Sequence, residues 1–157
     1  MSAHGYGAVR PRTVKTVQKP KRRMNKRQQQ ERLARRKLKN AGWDVSKTDS
    51  VEFNSGSETT KHVVGKTLVA KVGKDQGYRV CSEVEHDDRG EIDIVLYGRK
   101  DEAPVAIELE TNPQEDTISD KVERYVRGTP IRDILLINLD DMPTDIDEAE
   151  EWIQTLI

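Results

Sequence analysis

A chain of 157 residues, 34% hydrophobic and 35% charged, suffices for one domain with a compact core and a heavily ionised surface. No apolar run approaches the ~18 residues a membrane span needs, and no signal peptide is recognisable, so the expectation is an intracellular, cytoplasmic protein with no membrane role. Its single cysteine, Cys81, excludes an internal disulfide and a cysteine-based zinc framework, and reads as a small buried strand residue.

The net charge of −1 conceals two opposed parts. Residues 1–42 hold fourteen Lys and Arg against Glu31 alone, whereas residues 43–157 hold thirteen against twenty-seven acids. A basic arm on an acidic body is the pattern of a chain whose arm meets a polyanion. Residues 1–42 are therefore read as a basic arm and residues 43–157 as the folded domain.

Within the arm, residues 1–23 are rich in Gly, Pro and bases and too polar to offset their ordering entropy, which predicts disorder. Met24 to Ala41 is made of strong helix formers and stops at Gly42, with a sparse stripe of Leu33, Ala34, Leu38 and Ala41. Lys21, Arg22, Arg23, Lys26, Arg27, Arg32, Arg35, Arg36, Lys37 and Lys39 are its candidate phosphate contacts. The bland alternative is a solvated helix docked by its stripe.

The body begins with a short strand expected at Val51–Phe53. Ser55-Gly-Ser-Glu58 has the form of a capping box opening a helix to about Lys74, with Val64, Leu68 and Val72 as its apolar stripe. Three strands follow, Arg79–Glu85, Gly90–Tyr97 and Pro104–Thr111, separated by hairpin loops at His86–Gly90 and Gly98–Glu102. Asn112-Pro113 ends the sheet segment, and Asp116 is the expected cap of a helix with the stripe Ile118, Val122 and Tyr125, closed by Gly128. Ile134–Leu139 is continuously apolar, as beside a parallel neighbour. A last helix, Thr144 to Leu156, is expected to bury Ile146, Ala149, Trp152, Ile153 and Leu156. The order predicts an α/β fold with one mixed sheet flanked by helices and a right-handed crossover before the fourth strand. Trp43 and Trp152 read as core or interface residues.

Acids stand where buried strands should be apolar. Asp93 lies within Gly90-Glu-Ile-Asp-Ile-Val-Leu-Tyr97, and Glu108 follows Val105-Ala-Ile107. An ionised carboxylate in a low-dielectric interior is costly unless it is paired or holds a cation. Antiparallel pairing across the Gly98–Glu102 turn would bring the two together as an oxygen-rich site suited to Mg²⁺, the alternative for each being an ion pair with a nearby Lys or Arg.

This arrangement resembles the PD-(D/E)XK nuclease superfamily, with its restriction-endonuclease-like α-β-β-β-α-β core that archaeal Holliday-junction resolvases share, over about Ser55 to Asp140. The resemblance implies that Asp93 and Glu108 are catalytic metal ligands for Mg²⁺ or Mn²⁺, with the Leu109 carbonyl as third ligand and Glu58 as the helix acid, His62 lying one turn further on. It implies metal-dependent endonucleolytic hydrolysis of a nucleic-acid phosphodiester, with DNA as partner. Cutting both strands would require two sites on a twofold axis, hence a homodimer. Glu110 stands where the family has Lys. Either Glu110 binds a second metal or acts as a base, or Lys121 supplies the ammonium from the following helix, or the domain binds nucleic acid without cleaving it. Glu85 at its strand end is a further candidate, and Arg124 and Arg127 are expected to face solvent.

Overall fold

The computed structural model describes residues 23–53 and 58–157; the expectations for residues 1–22, Lys21 and Arg22 among them, and for a cap at Ser55 lie outside the described residues. The elements run α1 (Lys26–Asn40), α2 (Thr60–Asp75), β1 (Arg79–His86), β2 (Gly90–Tyr97), β3 (Val105–Glu110), α3 (Glu115–Lys121), β4 (Asp133–Asn138) and α4 (Ile146–Leu156). A π-helical turn, Val122–Val126, extends α3, and a 3₁₀ turn, Leu139–Asp141, follows β4. The protein is thus mixed α/β. Among the described residues no helix is long and apolar enough to cross a membrane.

The sheet order is β1-β2-β3-β4. The first three strands form an antiparallel meander, and β4 joins β3 in parallel after the α3 crossover, as its unbroken apolar character requires. One core lies between the sheet and α2 with α4, and includes Val69, Ile94, Ile107 and Ile153. A second, on other strand positions, gathers Leu38 of α1, Trp43, Val95, Tyr97 and Tyr125. Cys81 is buried there, as expected of a small strand residue.

The alternation of side chains breaks at one line across the sheet. Ile94 and Leu96 belong to the first core, but Ile92, two residues earlier, belongs to the second. A regular strand keeps i and i+2 on one face, so β2 reverses at Asp93. β1 reverses beside it, with Val80 in the first core but Cys81 and Val84 in the second. Between the pairs Ser82↔Ile94 and Val84↔Ile92 stands Glu83, whose φ of 48° is left-handed. This pair of reversals turns both Glu83 and Asp93 toward α2.

Several local expectations need correction. Val51–Phe53 is not a strand: the Ser82 hydroxyl donates to Ser50 O (2.8 Å) and accepts from Glu52 N–H (2.7 Å), taking the place of a ladder, and Phe53 is 73% exposed. Thr59 caps α2, accepting from His62 N–H, so Glu58 precedes the helix. Gln114 precedes α3 without a side-chain cap, and Asp116 lies in the first turn, where its charge meets the positive helix end. Ile118 and Val122 are exposed, because the π turn shifts the inward face to Lys121 and Tyr125. On α4 only Ala149 and Ile153 are fully buried; Trp152 is half-buried, while Ile146 and Leu156 face outward. Leu33 of α1 is likewise half-exposed.

α2 sits close to the sheet because its inner face carries glycine. A Cβ at Gly65 would lie 2.8 Å from Leu139 Cδ2 and 2.9 Å from Leu109 Cδ2, both in buried side chains. Gly65→Ala should therefore destabilise the protein despite a helix-propensity gain of about 1 kcal/mol, since overfilling a tight core costs roughly 1–3 kcal/mol. Thermal denaturation should show a melting temperature lower by a few degrees; an equal or higher value would mean that the two leucines yield freely.

Candidate functional site

Asp93 and Glu108 meet because of the β2–β3 register. The last ladder pair is Ile94↔Ile107, and the next opposed positions are Asp93 and Glu108. Where the ladder ends, the Leu109 N–H donates instead to Asp93 Oδ2 (2.9 Å). The two carboxyl groups are close enough to act on each other's ionisation. Burial, then the charge of Asp93, pushes the Glu108 carboxyl up to about 8. Burial also works against ionisation of Asp93, but His62 and the Leu109 N–H outweigh it and hold Asp93 below the usual carboxylate range.

Lys121, the last residue of α3, reaches into this pair. Its Nζ lies 3.0 Å from Glu108 Oε2 and 2.7 Å from Glu110 Oε1. Burial tends to lower its pKa, but the bond to Glu110 and the charge of Glu108 more than offset this, so the ammonium stays charged. An ammonium therefore does stand beside Glu108, delivered by a helix rather than by the position that Glu110 holds on β3.

On the α2 side, His62 Nε2 is 3.5 Å from Asp93 Oδ2, and its Nδ1 is 2.5 Å from Glu58 Oε1. The bond to Asp93, opposed by burial and aided by Glu58, raises the imidazole to about 9, so it is cationic at neutral pH. Behind it lies Lys66, fully buried, whose ammonium contacts Glu58 and Glu83 and donates to Glu52 O (2.9 Å). Burial pulls its pKa down and the two carboxylates more than restore it. Lys66 is absent from the residues that the sequence singles out. His62 and Lys66, four apart, share one side of α2, but nothing local in the sequence marks that side as buried.

Glu58, His62, Asp93, Leu109, Glu110 and Thr111 line an open cleft of about 380 Å³. Asp93, Glu108, Leu109, Glu110, Lys121, Glu58 and His62 are brought together. Glu85 is not: it lines a different depression with Glu83 and Glu91. Arg124 and Arg127 face solvent, as expected. The described cations of the arm, from Arg23 to Lys39, are exposed on or beside α1.

Among the described residues, no three His, Cys, Asp or Glu side chains form a ready ligand set for a metal ion. Lys121 accounts for the reason in part, since it occupies one oxygen of Glu108 and one of Glu110. The other oxygen, Glu108 Oε1, is buried with no hydrogen-bond partner. A buried acceptor without a donor is costly, and here it stands beside a second carboxylate. Hard oxygen donors of this kind are those that Mg²⁺ or Mn²⁺ takes. Comparison of the chain with protein-family models, with curated proteins and with solved structures finds no match.

Proposed function

We propose that this protein is a metal-dependent endonuclease that hydrolyses phosphodiester bonds of DNA, on a restriction-endonuclease-like arrangement of the PD-(D/E)XK kind. The observation that carries the reading is the placing of Asp93 and Glu108 at opposed positions of β2 and β3, with Glu108 Oε1 unpartnered and the Lys121 ammonium 3.0 Å from the other Glu108 oxygen. The order of a helix, a three-strand meander, a helix and a parallel strand supports it, since it sets one acid on β2 and one on β3.

Asp93, Glu108 and the Leu109 carbonyl would hold the ion, which supplies positive charge for activating water and for offsetting charge on the scissile phosphate. The chain's own residues prepare the rest. His62 and the Leu109 N–H keep Asp93 ionised, and Glu58 orients the imidazole from its far side. Lys121 provides a fixed ammonium where the attacking water and developing charge need one. Glu110 stands on the cleft wall at 2.7 Å from Lys121 and steadies that ammonium.

A second reading has its own observation: Lys121 already neutralises Glu108 and Glu110, as an ion pair in a domain that binds nucleic acid without cutting would. Incubation of linear, supercoiled and branched DNA with the protein separates the two. Cleavage that requires Mg²⁺ or Mn²⁺, stops with chelator, and slows by about 10²-fold or more in Lys121→Ala is the expected result for a group that stabilises transition-state charge. Tight binding with no cleavage of any substrate under either metal would favour the non-cutting reading.

A further inference from the structure

α1 is anchored from Gln30 onward: Gln30 Nε2 donates to Asp101 Oδ1 (2.8 Å), Leu38 is fully buried, and Ala34 and Ala41 border the second core. Its first turn is free of the body, with every residue from Arg23 to Gln29 exposed. Arg32, Arg35, Arg36 and Lys39 are all exposed, and among the described residues none of the four is in an ion pair. The helix is thus a firmly mounted rod carrying free cations on a body that is otherwise strongly acidic.

The three glutamines of α1 are already engaged. Asn25 and Gln28 form the capping box, Gln29 Nε2 donates to Met24 O (2.9 Å), and Gln30 is held by Asp101. Those amides are therefore engaged within the protein, and Arg and Lys side chains remain for the ligand, groups that contact phosphate on any sequence. Nor does the helix offer a stacking platform: it has no aromatic residue, and Trp43, Tyr78, Tyr97 and Tyr125 are all buried. Binding of single strands draws on such platforms, whereas a duplex presents its phosphates to a basic surface directly.

We propose that α1 is the helix by which this chain grips duplex DNA through the sugar-phosphate backbone, without reading base sequence. The inference rests on the nucleic-acid reading above and names its substrate class. The acidic body repels a polyanion, so the grip is concentrated on α1, and the mounted helix fixes where the duplex lies on the protein.

The test is fluorescence anisotropy with the full chain in chelator, using two duplexes of unrelated sequence and a single strand of equal length, over a range of salt. The variant replaces Arg32, Arg35, Arg36 and Lys39 together by Gln, with its fold checked by circular dichroism. The wild type should bind both duplexes alike, and the single strand at least tenfold more weakly. The variant should bind duplex at least tenfold more weakly, with a log–log salt slope shallower by about 3–4, from roughly 0.9 per lost phosphate contact. An unchanged slope in the folded variant, a hundredfold preference between the duplexes, preference for the single strand, or no duplex binding by the wild type would each overturn the proposal. The nuclease reading is scored apart, by cleavage in Mg²⁺. A chain that binds through α1 yet never cuts loses that reading alone, and one that cuts through Asp93 and Glu108 with the variant's slope unchanged loses only the role of α1.

Discussion

Glu108→Gln should reduce metal-dependent cleavage by about 10³-fold or more while making the metal-free protein more stable. The first effect follows from loss of a carboxylate charge where positive charge is to be held; 10³-fold corresponds to about 4 kcal/mol in the barrier. The second follows from burial. Glu108 is 4% exposed, has one oxygen without a partner, and titrates at about 8 against an ordinary 4.5. A carboxyl whose folded pKa is raised binds more protons in the folded state, so its contribution to stability is greatest below about 4.5, falls as pH rises, and is lost above about 8. Gln has the same shape, no charge and no such decline. Melting temperatures of wild type and variant in chelator, at pH 5 and pH 8.5, should diverge with the variant higher at the upper pH. Equal melting curves at both pH values would mean that Glu108 is solvated, and retained cleavage would remove it from the chemistry.

Lys66→Met carries the largest expected cost to the fold. The ammonium is fully buried, and its contacts are Glu58, Glu83 and the Glu52 carbonyl. Removing the ammonium from a buried ionic network leaves charge there that it no longer offsets, at roughly 3–5 kcal/mol: Glu83 loses its cation, and Glu58 keeps His62 alone. For a chain of this size that is a drop of about 10 °C in melting temperature. Replacing the whole network should cost far less, because the penalty lies in the uncompensated charge. Adding Glu58→Gln and Glu83→Gln to Lys66→Met should thus recover much of the loss in thermal denaturation. A single variant that melts within a degree or two of wild type would show that water screens the network.

The fold was legible where pattern and turn chemistry agreed. The meander followed from the Gly90 and Gly98 turns, the parallel β4 from its unbroken apolar run, and the meeting of Asp93 with Glu108 from the hairpin between them. Lys121 could be placed from its spacing to Tyr125, since both lie on the inward side of the crossover helix. Lys66 could not. A lysine between Gly65 and Thr67 reads as a solvent residue, and its burial depends on Glu83 turning toward α2, which needs a left-handed backbone that no local pattern announces. The exposure of Ile118 and Val122 escaped for a similar reason, because a π turn changes the period that a stripe presumes. At Val51–Phe53 a side chain, Ser82, makes the hydrogen bonds expected of a neighbouring strand.

Glu83 is a position where the backbone and the side chain want different amino acids. Its φ of 48° would suit Gly or Asn, and relief of a left-handed residue is worth about 1–2 kcal/mol. Its carboxylate, however, is one of the two that hold Lys66, and loss of a buried partner costs roughly 3–5 kcal/mol. The loss of the partner outweighs the relief of the backbone, so the ordinary remedy for a strained residue is closed to this chain. A survey for stabilising substitutions would mark Glu83 as an easy gain from its dihedral angle and find a loss there, and drift at Glu83 is free only after Lys66 has itself been replaced.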